Sequence, residues 1–344
     1  MTAQTTPATP CAACRLVAVV VTHNRLEKLK ATVTRLLESA PEDLQAVVVV
    51  DNVSTDGTGD WLAAQTDPRL LVHRSTENLG GAGGFETGMR LASARFDPDW
   101  MVVMDDDARP APGALAAFRA SDWAKDGARN GAKNGARDAA GCEAVAAAVY
   151  FPDGAICEMN RPSRNPFWHG REFFRTLLGG RGGFHIAPAD YRGAGRWVDV
   201  SSFVGLFVSR AAVARVGYPD GRLFVYGEDG LYTLGLSKAG GRIRFDPAVR
   251  FEHDCSTFAA RPGQFRPLWK VYYYHRNLLL LYRMAAGWMF WPVLLLVLPK
   301  WLLKVRHHPG ERRAFLRLLG RAVCDGLRRR VQRPHDEVLA LAGA

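Results

Sequence analysis

The sequence lacks the features that mark most exported or membrane-spanning proteins. Its 344 residues include only six cysteines, scattered without the rhythm of a disulfide framework, so we expect reduced thiols in a cytoplasmic protein. The first 14 residues have neither the basic segment nor the apolar core of a secretory signal. The most apolar stretch, 284–299, is 16 residues long and contains Pro292, whereas a single span needs about 20 residues. We expect a buried helix or a membrane-surface segment there.

Cysteine pairs with metal-ligand spacing are also scarce. Cys11 and Cys14 have the spacing of a zinc or redox site, but no second such pair accompanies them. They lie in a Thr-, Pro- and Ala-rich segment, 1–14, which we expect to be disordered. A metal or redox role for this pair is therefore the less favoured interpretation.

Acidic residues are scarce in the last quarter of the chain. From Arg261 to Ala344 there are 16 Lys or Arg and 4 Asp or Glu, a balance of +12, while the whole chain carries +11. The remainder is therefore close to neutral, which predicts a catalytic body with a basic tail that meets an anionic surface. Aromatic and basic residues beside an apolar run are typical of membrane headgroup regions. We expect membrane contact through 284–317 and no nucleic-acid partner, and we leave a homo-oligomer interface open.

Short β-branched runs, in contrast, are abundant and alternate with amphipathic helical patterns. The runs at 16–22, 46–50, 70–73 and 100–104 predict strands buried on both faces. Strands that alternate with helices predict an α/β fold, a parallel sheet with helices on both faces. Ligands of such sheets bind beyond the carboxyl ends of the strands.

Three consecutive carboxylates, Asp105, Asp106 and Asp107, follow the fourth predicted strand. Neighbouring carboxylates repel one another unless a positive charge lies among them. Side chains alternate along an extended chain, so Asp105 and Asp107 face the same side. Hard cations such as Mg²⁺ bind carboxylate and phosphate oxygens. The triplet predicts a metal that carries a nucleotide diphosphate; the alternative is a solvated acidic turn.

A glycine-rich segment from Asn78 to Gly84 follows the third predicted strand. Without Cβ atoms a ligand can approach the backbone amides closely, and a helix N-terminus beyond them favours anions. No Gly-Lys-Ser/Thr follows, which excludes a Walker P-loop, and the position after the third strand disfavours a dinucleotide fingerprint. We predict a loop over 80–84 and a helix from Phe85.

Other polar residues stand where predicted strands end. Asp51 is expected to contact a ribose or base, with a turn or helix cap as the alternative. Glu228 and Asp229 follow an aromatic segment, where a partly buried carboxylate can have a raised pKa and act as a general base. Simple charge complementarity with a helix N-terminus is the alternative. His253 ends the last predicted strand as a metal ligand or a structural histidine.

Taken in order, these motifs resemble the family 2 inverting glycosyltransferases of GT-A fold. The resemblance covers about residues 16–258, and NLGGAGGF and DDD are similar to galactofuranosyltransferases that build cell-envelope galactan. It implies a Rossmann-like nucleotide-binding sheet with helices on both faces and a C-terminal helical, membrane-associating region. The matching segments are 17–24, 47–58, 78–85, 104–107, 227–232 and His253.

The resemblance also implies roles for individual residues. Asp229 would be the base that deprotonates the acceptor hydroxyl, and Glu228 would help to bind the acceptor or the sugar. The metal ligands for Mn²⁺ or Mg²⁺ would be Asp105, Asp107 and His253. The donor-binding residues would be Thr22, Asn24, Asp51, Asn78, Gly80, Gly81 and Asp106. Many members carry an acid two residues after the base, where this chain has Leu231, whereas Tyr232 matches the galactofuranose subgroup.

The predicted domains follow from these assignments. Residues 15–150 form the half that binds the nucleotide sugar, with a low-complexity insertion at 124–141. Residues 151–260 form the catalytic, acceptor-binding half, in which no acceptor motif is recognisable. Residues 261–344 form the basic, aromatic-rich helical region.

The predicted function is metal-dependent transfer of a sugar, with inversion, from a nucleotide-sugar donor to a lipid-linked or polysaccharide acceptor. The enzyme would be peripheral to the inner face of the cell membrane. UDP-galactofuranose is the preferred donor and dTDP-rhamnose the alternative. A sugar nucleotidyltransferase would have a basic glycine-rich first loop, which 22–25 lacks. A catalytically silent scaffold would not need the intact carboxylates.

Overall fold

The computed structural model describes residues 14–125, 141–255 and 264–343. Cys11, most of the predicted disordered terminus and nearly all of the predicted insertion at 124–141 lie outside the described residues. The described part has a sheet with helices packed on it and a group of C-terminal helices.

A nine-stranded sheet forms the centre of the described fold. Its strand order is β3-β2-β1-β4-β8-β6-β9-β5, with β7 paired to β9. The first four strands in the chain pair in parallel, and every residue of β1 and β2 is buried. The strands are β1 Leu16–Thr22, β2 Ala46–Asp51, β3 Leu70–Arg74, β4 Trp100–Asp105, β5 Ala108–Pro110, β6 Ala144–Tyr150, β7 Arg196–Val198, β8 Leu206–Ser209 and β9 Ile243–His253.

Helices cover both faces of the sheet because its Val- and Ala-rich strands are apolar on both sides. Two clusters of buried side chains lie on opposite faces: alternate residues of β1, such as Ala18 and Val19, belong to different clusters. The helices over this part are α1 Leu26–Leu37, α2 Thr58–Ala63, α3 Gly80–Phe96, α4 Ala114–Ala120, α5 Gly170–Gly179, α6 Arg210–Val216 and α7 Glu228–Lys238. The predicted α/β class is confirmed.

The sheet is mixed: β6 and β9 also pair in parallel, but the prediction of a parallel sheet is wrong for β5, β7 and β8. β8 lies antiparallel between β4 and β6, and β5 and β7 are antiparallel to β9. The sequence could not show this, because an apolar run buried on both faces has no periodicity that reveals its direction.

The glycine-rich segment is helical, so the predicted loop over 80–84 is wrong. Helix α3 begins at Gly80, whose amide donates to Asn78 Oδ1 at 2.9 Å. A Cβ at Gly84 would lie 2.4 Å from a Val21 methyl group, and one at Gly88 would lie 2.5 Å from Val19. These glycines let the helix pack directly on β1.

The C-terminal helices form their own apolar cluster around Tyr272, Tyr273, Trp301 and Phe315. The predicted apolar stretch contains a 3₁₀ turn and most of α9, whose Leu295 is 76% exposed. The stretch is therefore not a buried helix. By length and composition, Lys270–His307 could cross a membrane. The helices are α8 Lys270–Ala286, α9 Phe290–Leu303, α10 Arg312–Leu327 and α11 His335–Ala342.

Candidate functional site

The three predicted carboxylates lie at the carboxyl end of β4, where they meet the end of β1. Thr22 Oγ1 donates to Asp106 Oδ2 at 2.8 Å. Arg25 Nη1 lies 3.3 Å from Asp106 Oδ1 and 2.6 Å from Asp107 Oδ2. Thr22 and Asp106, both predicted to contact the nucleotide, therefore bond to each other, and Arg25 neutralises part of the cluster.

Burial sets the charge state of this cluster. Removal from water, reinforced by the neighbouring Asp107, raises the pKa of Asp105 to about 7. Burial also raises the pKa of Asp106 to about 6, although Arg25 opposes the change. For Asp107 burial acts in the same direction, but the hydrogen bond from His253 and the charge of Arg25 outweigh it and lower the pKa. A divalent cation would relieve the remaining repulsion.

His253 ends β9 beside this cluster and is buried. Its Nε2 lies 3.1 Å from Asp107 Oδ1, and its Nδ1 lies 2.7 Å from Asn160 Oδ1. Burial acts to lower the pKa of the imidazole, but Asp107 outweighs it and raises the pKa to about 10. Because Nδ1–H donates to Asn160, Nε2 is the nitrogen directed at the carboxylates. A hydrogen bond of this kind fixes the ring orientation of metal-binding histidines.

The predicted metal ligands come together only in part. Asp107 and His253 are in contact, and the charge of Asp105 acts on both of them. Among the residues that the structure describes, however, the group of three metal-binding side chains with all ligand atoms within 4.8 Å is Cys157, His253 and Cys255. The Asp105, Asp107 and His253 set is therefore more open than that group. Two carboxylates and an imidazole still form a donor set that suits Mn²⁺ or Mg²⁺.

Glu228 and Asp229 are the first two residues of helix α7, and the charge of Asp105 acts on Glu228. Burial raises the pKa of Glu228 well above its usual range, and Asp229 reinforces this; burial also raises the pKa of Asp229, against the amide of Gly230 that donates to it at 2.6 Å. Glu228 Oε2 is without a hydrogen-bond partner among the described residues. A Cβ on Gly81 would lie 3.4 Å from Glu228 Oε1, so this acid faces the start of α3.

A strained loop holds these acids in place. Phe224 and Tyr226 have φ values of 67° and 69°, a left-handed conformation that is costly for residues with side chains. The side-chain amide of Asn277 donates to the carbonyls of Leu223, Val225 and Tyr226 at 3.1, 3.0 and 2.7 Å.

The same loop is joined to helix α3 and to the C-terminal helices. Phe224 O accepts from the amide of Ala82 at 3.0 Å. Arg276, which is fully buried, donates to Leu223 O at 2.7 Å and to Val331 O at 3.0 Å. Helix α8 therefore fixes the loop that precedes Glu228.

Two of the predicted donor residues lie where strands end: Asp51 is the last residue of β2, and Asn24 follows β1. Asp51 is fully buried, and its Oδ1 accepts from the amide of Ser54 at 2.9 Å. Its Oδ2 lies 3.7 Å from Arg74 Nε. Asn24 is exposed, with φ 54°, and accepts from the amide of Thr55 at 2.7 Å.

The rest of the donor side is connected through Asn52. Its side-chain amide donates to Gly80 O at 2.8 Å, which links the end of β2 to the start of α3. Gly80 and Gly81 are the first residues of that helix, and Asn78 Oδ1 accepts from the amide of Gly80. The predicted donor residues therefore surround the carboxyl ends of β1, β2 and β4.

Sequence reasoning missed four residues of this arrangement. Arg25 neutralises the acidic cluster, Asn160 orients His253, and Arg276 and Asn277 hold the loop before Glu228. Arg276-Asn277 is a polar pair within the aromatic and apolar helix α8, and that contrast was the available signal. Arg25 and Asn160 carried none, since their roles depend on long-range contacts.

Residues 17–120 match the sequence description of glycosyl transferase family 2. An undecaprenyl-phosphate mannosyltransferase from Micrococcus luteus is 37% identical over 118 residues, 31% of this chain and 46% of that protein. The chain thus spans about half the length of that relative. The family match supports the predicted resemblance.

Two further relatives align over a larger share of the chain. The galactofuranosyltransferase GlfT1 of Mycolicibacterium smegmatis is 28% identical over 71% of this chain and 72% of its own. An N-acetylglucosaminyl-diphospho-decaprenol L-rhamnosyltransferase of Mycobacterium tuberculosis is 28% identical over 68% of this chain and 74% of its own length. Both relatives are glycosyltransferases, and residues 17–120 of this chain match the glycosyl transferase family 2 domain.

A solved mannosyltransferase from Pyrobaculum calidifontis, in complex with GDP-Man and Mn²⁺, aligns with 98% of this chain and 90% of its own. The TM-score is 0.47 and the identity 18%. These values are too low to assign a ligand or a substrate to this chain.

Proposed function

We propose that the protein is a metal-dependent, inverting glycosyltransferase that moves galactofuranose from UDP to a lipid-linked or polysaccharide acceptor of the cell envelope. The observation that carries the proposal is the proximity of two different acidic groups, since the charge of Asp105 acts on Glu228. The first is the partly neutralised cluster at 105–107, and the second is the desolvated pair at 228–229. Inverting transfer needs a cation site for a diphosphate and one base for the acceptor.

The metal site is assigned to Asp105, Asp107 and His253. A bound Mn²⁺ or Mg²⁺ would supply Lewis-acid stabilisation of the diphosphate as it leaves. Burial, reinforced by the charge of Asp107, raises the pKa of Asp105 to about 7, and a bound cation would favour its ionised form. Asn160 keeps His253 Nε2 directed at Asp107.

Asp229 is assigned as the base. Its carboxylate takes the proton of the acceptor hydroxyl as that oxygen attacks the anomeric carbon. The bond from the anomeric carbon to the diphosphate oxygen breaks with its electron pair, so the configuration inverts. Burial and the charge of Asp229 raise the pKa of Glu228 well above its usual range, which favours the protonated form that can donate to a sugar or acceptor hydroxyl.

The donor assignment rests on the sequence motifs and on the relatives. The galactofuranosyltransferase relative and Tyr232 favour UDP-galactofuranose. The rhamnosyltransferase relative supports dTDP-rhamnose as the second candidate.

A lipid-linked acceptor is supported by a cavity of about 470 Å³ that begins at Glu228 and reaches Arg283 and Met284 near the end of α8. Its volume is in the range of ligand pockets. Arg283 also lies 4.7 Å from the ring centroid of Phe290, at the start of α9. The cavity therefore connects Glu228, the neighbour of the proposed base, with the end of α8.

Binding to a membrane surface is supported by apolar side chains exposed in two segments of the chain. Trp288, in the 3₁₀ turn before α9, is 82% exposed, and Leu295 within α9 is 76% exposed. Leu178 of α5 is 89% exposed. The segment before α5 is tied to the end of α8, because Asn165 Nδ2 donates to Ala285 O at 3.0 Å. Exposed apolar patches of this kind mark binding surfaces, and the basic C-terminal region suits an anionic membrane.

The test is calorimetric binding of UDP, dTDP and GDP with and without Mn²⁺, followed by an assay of nucleotide release. Metal-dependent binding of UDP, with release of UDP during transfer, is expected. A preference for dTDP would replace galactofuranose by rhamnose, and binding of none would leave a silent scaffold.

Variants of the acidic cluster test the metal assignment. Asp105→Ala and Asp107→Ala should abolish metal-dependent turnover while circular dichroism shows an intact fold. Normal turnover of either variant would overturn the metal assignment. Glu42→Ala, an exposed acid remote from the site, serves as the control and should behave as the parent enzyme.

A further inference from the structure

Two thiols lie beside the histidine that the proposed reaction uses. Cys157 follows β6 and Cys255 follows β9, and the ligand atoms of Cys157, His253 and Cys255 all lie within 4.8 Å of one another. His253 Nδ1 is 3.9 Å from Cys157 Sγ. All three residues are buried or nearly so, and both cysteines are free.

This donor set differs in chemistry from the acidic cluster. Two thiolates and one imidazole are typical ligands of Zn²⁺, which is held by four ligands in tetrahedral sites. Mn²⁺ and Mg²⁺ prefer oxygen ligands. In a tetrahedral zinc site, with Zn–S near 2.3 Å and Zn–N near 2.1 Å, neighbouring ligand atoms are roughly 3.5–3.8 Å apart. Shifts of about 1 Å would therefore bring the three ligand atoms to zinc distance, with a water molecule as the fourth ligand.

We infer that Cys157, His253 and Cys255 form a binding site for a thiophilic divalent cation such as Zn²⁺, and that its occupation inhibits sugar transfer. The inhibitory part rests on the proposed function, because it requires His253 to serve the nucleotide's metal. The binding part does not.

The two nitrogens of His253 make the two metal sites mutually exclusive. As a ligand beside Asp107, Nε2 must be unprotonated while Nδ1–H donates to Asn160 Oδ1, now 2.7 Å away. As a zinc ligand with the cysteines, Nδ1 must be unprotonated, and the remaining proton is on Nε2, which then donates to Asp107 Oδ1. That carboxylate–histidine–zinc arrangement is common in zinc proteins.

The exchange balances without another reactant. Zinc binding releases the protons of the Cys157 and Cys255 thiols and of His253 Nδ1 to solvent. Asn160 Oδ1, which lies 3.0 Å from Cys157 Sγ, gives up its contacts with both residues. No electron is transferred, so the site is reversible with a chelator.

Binding is tested on the full-length, reduced protein with Cd²⁺ as the probe, because cadmium thiolates absorb in the ultraviolet. We expect a saturable thiolate band in the parent protein that Zn²⁺ displaces. Cys255→Ser and Cys157→Ser should each weaken Cd²⁺ binding at least about tenfold. The control is Cys324→Ser in α10, outside the cluster, which should retain the full band. An equal band in the parent and in both cluster variants, or none in the parent, would overturn the site.

Inhibition is tested separately by titrating Zn²⁺ into the Mn²⁺-supported reaction. Transfer by the parent should be lost and then restored by a chelator followed by Mn²⁺. Cys255→Ser should retain basal transfer within about twofold and require at least about tenfold more Zn²⁺ for inhibition. Cys255→Ala is the second variant should the serine form fail to fold. A cadmium band together with equal inhibition of parent and variants would support the metal site but overturn its inhibitory role. The cadmium band tests the metal site even if the protein shows no sugar transfer.

Discussion

At the scale of single residues, the proposed reaction depends on the protonation states of Glu228 and Asp229. Glu228 and Asp229 are adjacent and both have a raised pKa, and burial is the largest cause for each. The charge of Asp229 additionally raises the pKa of Glu228, which favours a protonated Glu228 beside an ionised Asp229. The pair can therefore hold one proton donor and one base side by side, a separation of roles that active sites commonly use.

Replacing Asp229 by Asn should separate chemistry from binding. Turnover is expected to fall by about 10²–10⁴-fold, the usual contribution of a general base, while calorimetric binding of the nucleotide is retained. Parallel loss of nucleotide binding would make Asp229 a structural residue instead. Glu228→Gln keeps a hydrogen-bond donor at the neighbouring position and is expected to retain more activity.

The pH profile of turnover is expected to follow the same carboxylate. The base acts only when ionised, and burial raises the pKa of Asp229 above its usual range. Turnover should therefore be complete at high pH and be lost as the pH falls through that raised value, above the usual carboxyl range. The measurement is kcat against pH at saturating donor and metal. An acidic limb in the ordinary aspartate range would contradict the assignment.

At the scale of elements, helix α8 links the C-terminal region to the proposed active site. The Asn277 amide donates to three carbonyls of the loop before Glu228, and the buried Arg276 donates to Leu223 O and Val331 O. The loop includes two residues in left-handed conformations. Strained backbone persists only where its surroundings hold it, so α8 is expected to position the acids of α7.

Asn277→Ala should therefore weaken both stability and catalysis. Loss of its donors leaves carbonyls unpaired, which costs about 1–3 kcal/mol of unfolding free energy. Misplacement of Asp229 should lower kcat by up to about 100-fold, with a smaller change in nucleotide affinity. Thermal unfolding, kcat and calorimetry test this. Asn277→Asp keeps the shape but loses the donors, so it should resemble the alanine variant; parent-like kinetics for the aspartate would contradict the positioning role.

At the scale of the whole molecule, the catalytic sheet and the exposed apolar helices occupy different parts of the chain. Charge follows the same division, since the last 84 residues carry +12 and the preceding residues sum to −1. The cavity from Glu228 to Met284 lies where the two parts meet. An acceptor held in this cavity would contact Glu228, the neighbour of the proposed base.

Substitution of the exposed apolar residues should release the protein from vesicles. Trp288→Ser with Leu295→Ser is expected to weaken binding to anionic vesicles by at least about tenfold, because burial of each side chain is worth about 1.5–3 kcal/mol. Flotation in a density gradient measures this, with nucleotide binding as the check on folding. Met159→Ser, also exposed but outside these helices, is the control. Equal flotation of all three proteins would contradict a membrane role for α9.

The sequence by itself determined the elements whose signal is local. β1 and the positions of β2, β3 and β4 followed from β-branched runs, and α1 followed from its apolar spacing. The acids at 105–107 and 228–229 were recognisable because side chains at strand ends and helix starts have restricted positions. The resemblance to family 2 glycosyltransferases followed from the order of these motifs along the chain.

Only the tertiary structure decided what depends on distant partners. The direction of β8, the helical state of Gly80–Gly84 and the pairing of Thr22 with Asp106 each require a neighbour more than 50 residues away or a close packing surface. The same holds for Asn160 and Cys157 beside His253 and for Asn277 beneath the catalytic loop. Local propensity carries no information about such contacts, because they form only when the sheet edge brings distant segments together.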